Sequence, residues 1–231
     1  MQPSSAMPVE ARLSGQIDLA GFRSEARQLL AQQVPPDSVT WTAAPVSADV
    51  FQEPQPPSAS RPRSVARAAT AIVPASFLRL CESVVLHRDP ARFSLLYRLL
   101  WRLVHEPTLR NDAEDRDMLQ AQHMAHAVRR DIHKLKSHLR FVSMPAPPGR
   151  EPASMQVAWF EPAHHIVEFV APWFAKRVAT GPWVILTPQR SVCWDGERML
   201  YGRGIARDRW PPDEYDTGGW FACVDAAFRR D

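Results

Sequence analysis

Residues 129–141 read RRDIHKLKSHLRF. Five of these thirteen residues are Arg or Lys, two are His and one is acidic. Ile132, Leu135 and Leu139 continue an apolar stripe that includes Met118, Ala125 and Val128, at i, i+3, i+4, i+7 spacing. That period predicts a helix from about Asp115 to Phe141. On it, Arg129, His133, Lys136 and Arg140 follow one another at intervals of four, three and four, so they share one side. His123, His126 and Arg130 line the neighbouring arc. After Pro145 the period changes. SMQVAWFEP (154–162) reads as a strand, and HHIVEFVAPWFAKRVA (164–179) as a helix interrupted or kinked at Pro172. WVILTP (183–188), SVCWDG (191–196) and RMLYG (198–202) read as three short β segments with turn signals between them, which suits an antiparallel meander. Helices followed by strands place the chain in the α+β class.

Upstream, DPARFSLLYRLLWRLVHE (89–106) predicts a helix capped by Asp89, with Pro90 at its first position. Phe93, Leu96, Leu100 and Leu103 form its apolar stripe, widened by Leu95, Leu99 and Trp101. Arg92, Arg98 and Arg102 are expected on the remaining arc. PASFLRLCESVVLH (74–87) predicts another helix. Residues 44–71 hold five prolines and one aromatic, too little apolar surface to offset the entropy of ordering. They read as a flexible linker, with Arg61, Arg63 and Arg67 as solvating charge. IDLAGFRSEARQLLAQQ (17–33) predicts a helix capped by Asp18, and VPPDSVTW (34–41) turns into a short strand. The expected architecture is α+β: a helical layer at 74–141 packed on a small antiparallel sheet at 156–202, with a small N-terminal β-α-β unit. The expected organisation is a disordered N-terminus at 1–9, the β-α-β unit at 10–43, the Pro-rich linker at 44–71 and the main domain at 72–231.

Composition bounds the chemistry. The chain has 231 residues, 45% of them hydrophobic and 23% charged, as in ordinary folded proteins. The net charge of +3 rests on 25 Arg and 3 Lys among 28 cations. Arg favours bidentate phosphate contact, although Arg, Ala and Pro also rise together in GC-rich genomes. Cys81, Cys193 and Cys223 are isolated, which argues against a disulfide framework and falls short of a four-cysteine cluster. A reducing cytoplasm is the expected compartment. No run of 18 apolar residues predicts a membrane span, and the N-terminus lacks the pattern of a secretory signal.

The histidines do not assemble a known metal motif. HHIVEF places His164 and His165 near Glu168, but Phe169 breaks the H-x-x-E-H pattern and no H-E-x-x-H exists. No metal and no cofactor are expected. G-x-S-x-G and a Gly-rich phosphate loop are missing from a chain with nine glycines. Cys81 and Cys193 sit in apolar runs and read as core. His133 and His164 are the acid–base candidates, because neutral-range titration suits that role. The one-sided Arg129, His133, Lys136 and Arg140 stripe reads as an electrostatic footprint for nucleic acid, against the plain alternative of a solvated helix face.

DPARFSLLYRLLWRL, RRDIHKLKSHLRF, WFEPAHHIVEFVAPWFAKRV and WVILTPQRSVCWDG occur in this order between Ile72 and Gly202. Together they resemble a bacterial domain family of unknown function, found fused ahead of, or encoded beside, uracil-DNA glycosylase superfamily proteins. A radical-SAM protein presumed to act in DNA repair is the other neighbour. The resemblance implies a role in DNA metabolism or repair, with either protein as a possible partner. It carries over His133, Lys136, Arg140 and Phe141 in the helix, Trp159, Pro162 and His164 at the strand-to-helix turn, and Asp195 and Gly196 in the last hairpin. The segment DTGGWFACVDAAFRRD departs from the family pattern, so the chain reads as a truncated or diverged member. The water-activating loop and the His-containing loop of the glycosylases are not found here. The expected function is therefore a non-catalytic accessory domain that contacts DNA through the basic helix face, with no membrane association. The alternatives are an enzyme acting on DNA or nucleotides through His133 and His164, and a protein–protein adaptor for a glycosylase.

Overall fold

β1 (Val9–Leu13) and β2 (Val39–Ala43) pair in parallel, with Val9 opposite Val39 and Leu13 opposite Ala43. Between them runs α1 (Leu19–Ala31), which makes the N-terminal β-α-β unit that the sequence predicts. Asp18 caps α1 as expected: its carboxylate accepts the Gly21 N–H at 2.7 Å and the Ser14 N–H at 3.0 Å. A Cβ on Gly21 would lie 2.2 Å from an Asp18 carboxylate oxygen, so this cap requires glycine there. These coordinates come from a computed structural model, which describes residues 9–45, 73–106, 108–109, 112–145, 154–178, 181–207 and 224. The expected N-terminal disorder and Pro-rich linker lie outside these residues, apart from their edges.

α2 (Ala75–Val84), α3 (Arg92–His105) and α4 (Arg116–His138) follow. The described residues divide into two compact units, 9–45 with 73–129, and 130 onward, with α4 running through the division. This differs from the expected boundary between 10–43 and 72–231. The reason is burial. Phe22, Ala26 and Leu29 of α1 share one core with Phe93, Leu96 and Leu100 of α3. Trp41 of β2 lies 6.3 Å from the Phe93 ring and 5.8 Å from that of Tyr97, and the Tyr97 hydroxyl donates to the Val34 carbonyl at 2.7 Å. A two-stranded ribbon with one helix is marginal alone, so it borrows its core from the helices after the linker.

The arginines of α3 depart from the expected exposed arc. Arg92 is 1% exposed. Asp89 does not cap α3 directly; it accepts the Ala91 N–H at 2.9 Å, and the helix starts at Arg92, two residues later than predicted. Arg98 and Arg102 are committed to acids: Arg98 holds Asp117 through two bonds of 2.7 and 2.9 Å, and Arg102 reaches Asp115 at 2.8 Å. The Arg98 hydrogen bond holds the Asp117 carboxyl below its ordinary value.

The second unit is a five-stranded sheet in the order β3-β4-β5-β6-β7. Its strands are β3 (Val142–Pro145), β4 (Ser154–Trp159), β5 (Trp183–Leu186), β6 (Arg190–Trp194) and β7 (Met199–Arg203). β5, β6 and β7 form the predicted antiparallel meander. β4 and β5 are instead parallel, joined by the crossover helix α5 (Val167–Arg177). β3 is a strand that the sequence reading left unmarked; the helix expected to about Phe141 ends at His138. Residue alternation gives the sheet two faces. Trp183 meets Phe174 of α5 on one, while Val184 and Leu186 join Met144, Val157 and Ile205 in a second cluster. The fold is thus α+β, with a mostly antiparallel sheet. α5 is continuous through Pro172, which is exposed and forgoes only its bond to residue 168.

Candidate nucleic-acid interface

The second half of α4 presents two unlike faces. At about 100° per residue, Arg129, His133, Lys136 and Arg140 would fall within about 60° of one another on a continued helix. Arg129, His133 and Arg140 are exposed, and Lys136 is half-buried. Arg129 ends the first unit, while the other three residues belong to the second. Arg140 lies beyond the helix end, and its guanidinium donates to the carbonyls of Ser137 at 3.0 Å and Leu139 at 3.2 Å. It thereby caps the C-terminus of α4, where a cation also opposes the helix dipole. Lys136 places its ammonium 5.0 Å from the Trp173 ring of α5, and the Arg177 guanidinium lies 5.3 Å from the same ring. Lys134 sits 6.0 Å from the Phe160 ring.

The opposite face of α4 is structural. Asp131, 7% exposed, accepts the backbone N–H of His164 at 2.9 Å and also that of Ala163. It thereby fixes the turn from β4 into α5. Burial pushes its carboxyl above the ordinary Asp value, against those two N–H bonds and the nearby charge of Lys134. No sequence pattern marked Asp131, since one acid in a basic helix reads as solvated. Its signal was position: it falls on the apolar arc of Leu135 and Val128.

This geometry separates the acid–base candidates. Asp131 faces the turn that carries His164, and His133 projects about 200° further round the helix. His133 is exposed and His164 is 6% exposed. A cavity of about 940 Å³ in the first unit is lined by His87, Arg102, Asp115, Arg116 and His123, among others, and by neither of these two histidines. Among the described residues no group of three or more His, Cys, Asp or Glu is placed to hold a metal ion. No helix there is long and apolar enough to cross a membrane.

The other motif residues serve the fold. Phe141 packs 5.8 Å from Phe174, edge-on, and 6.0 Å from Trp183. Trp159 packs against the second sheet cluster, and Pro162 is buried in the turn after β4. Asp195 accepts the N–H groups of Glu197 at 2.8 Å and Arg198 at 2.7 Å, which closes the β6–β7 turn. Gly196 has φ +109° there, a conformation L side chains rarely adopt.

Residues 90–210, just over half of the chain, match the family described as a domain of unknown function, DUF4130. The chain belongs to DUF4130. No curated protein and no solved structure matches it. The DUF4130 segment takes in α3, α4, α5 and the whole five-stranded sheet, and so contains every candidate site residue named above. It excludes the N-terminal β-α-β unit, although that unit shares its core with α3.

Asp131→Ala is expected to destabilise the second unit by about 2 kcal/mol, because two buried N–H groups lose their acceptor. Asp131→Asn, which keeps a carbonyl oxygen, should cost less. Denaturant melts of both variants check this. The folded state binds the Asp131 proton more tightly than the unfolded chain does. The contribution of this residue to stability therefore rises as pH falls through its folded pKa, opposite in sign to that of Asp117.

Proposed function

We propose that this DUF4130 protein is a non-catalytic accessory protein of bacterial DNA metabolism or repair that contacts DNA through the basic face of α4. The observation that supports this reading most is the split character of that helix. In its second half the cations lie on the open side, while the one acid there, Asp131, is turned inward against the Ala163–His164 backbone. A phosphate backbone approaching Arg129, His133 and Lys136 meets no carboxylate from α4 between residues 129 and 138. The paired-histidine enzyme reading is disfavoured, because His133 and His164 lie on opposite sides of the Asp131 contact. The resemblance of the four sequence blocks supports a setting beside a uracil-DNA glycosylase superfamily protein or a radical-SAM repair protein, which would supply the chemistry.

The test is a salt series with fluorescent single- and double-stranded DNA. Each phosphate contact contributes a slope of roughly −0.7 to −0.9 in log K against log salt. Replacing Arg129, Lys136 and Arg140 together with Ala should flatten the slope by about two to three units. Equal affinity and equal slope in wild type and triple variant would refute the reading.

A further inference from the structure

Phe169 is 55% exposed, the most exposed large hydrophobic side chain among the described residues. It lies on the outward face of α5, one turn before Trp173, which is half-exposed, and two turns before Arg177. Lys176 is exposed on the adjoining row. Lys136 reaches this face from α4, with its ammonium over the Trp173 ring. All three lysines of the chain, Lys134, Lys136 and Lys176, lie in this one unit. The acid on the same helix, Glu168, is engaged by Arg190 at 2.8 Å. Cations in the last turn of a helix are explained by the helix dipole. That does not account for an open Phe on the same face, nor for a lysine supplied by a second helix.

We propose that this face binds single-stranded nucleic acid, with a base stacked on Phe169 and the flanking phosphates held by Lys136, Lys176 and Arg177. Two features select this occupant. The cations, with Glu168 already paired, complement a polyanion. The open aromatic ring needs a flat partner, and an unpaired base offers its π-face where a duplex hides it in the stack. Lys136 belongs to both this face and the α4 stripe, so a strand can run from one to the other. The inference rests on the DNA-binding reading and adds strand selectivity to it.

The experiment measures binding of a fluorescent oligothymidylate of about twenty nucleotides and of a duplex of the same length to the full chain, for wild type, Phe169→Ala and Phe169→Trp. One stacked base contributes roughly 1–3 kcal/mol, so Phe169→Ala should weaken single-strand binding by roughly tenfold. The preference for single over double strand should fall with it, and Phe169→Trp should restore both. The salt slope should stay unchanged, since no phosphate contact is removed. Single-strand affinity of Phe169→Ala within about twofold of wild type, with wild-type binding intact, overturns the stacking face alone. No salt-dependent binding of either DNA by wild type overturns the DNA-binding reading and this inference together. An equal loss for both DNA forms in Phe169→Ala also overturns it, since stacking predicts a selective loss.

Discussion

Trp183→Ala is expected to cost the sheet unit about 3–5 kcal/mol, the usual range for deleting a buried Trp. Trp183 is 0% exposed on β5, whose four residues are all buried. Its ring lies 6.0 Å from Phe141 and 6.3 Å from Phe174, so truncation removes the contact joining β5 to α5 and to the segment after α4. The indole N–H has no hydrogen-bond partner among the described residues. Trp183→Phe therefore abandons no hydrogen bond and should cost much less than the alanine variant. Urea melts followed by far-ultraviolet circular dichroism distinguish the two. A loss below about 1 kcal/mol in Trp183→Ala would show that this ring does not organise the sheet.

Arg92→Met is expected to destabilise the first unit by about 3 kcal/mol. The Arg92 guanidinium donates to the carbonyls of Val85 at 2.9 Å, Asp89 at 2.9 Å and Gln16 at 2.6 Å. It thereby ties the loop before α1 to the turn between α2 and α3. Its partners are neutral oxygens, apart from the more distant charge of Asp89. Burial pushes its pKa down to about 10, which leaves it charged at neutral pH. Methionine fills a similar volume but leaves those carbonyls without this donor. Arg92→Lys should rescue little, because one ammonium cannot reproduce a fork that spans three carbonyls. Thermal melts of the three proteins check this, and full rescue by lysine would show that charge rather than geometry is what the site requires.

The basic stripe shows where sequence reading is strong. Arg129, His133 and Lys136 share a side because the helical period is set by backbone geometry, which any apolar stripe reveals. The α+β class was legible in the same way, from the change of period after Pro145. The β-α-β unit was legible from the Asp18 cap and the strand that follows the helix. Short-range chemistry also explains Asp195 and Gly196, since a turn residue acts on its own neighbours.

What the tertiary structure decided was partnership across long stretches of chain. Arg92, Arg98 and Arg102 look alike on a helical wheel, yet one is buried against carbonyls and two are tied to acids. The periodicity of α3 is blind to which neighbour arrives. Asp131 read as one acid among cations until the Ala163–His164 backbone was placed against it. The same contact separated His133 from His164, which the sequence could only name together. The parallel pairing of β4 with β5 depends on where α5 returns the chain, and a period of two does not record strand direction. Periodicity and caps are local, so the sequence by itself determined most of the elements and which residues share a face. Burial and hydrogen-bond satisfaction depend on residues distant in the chain, and only the folded structure assigned them.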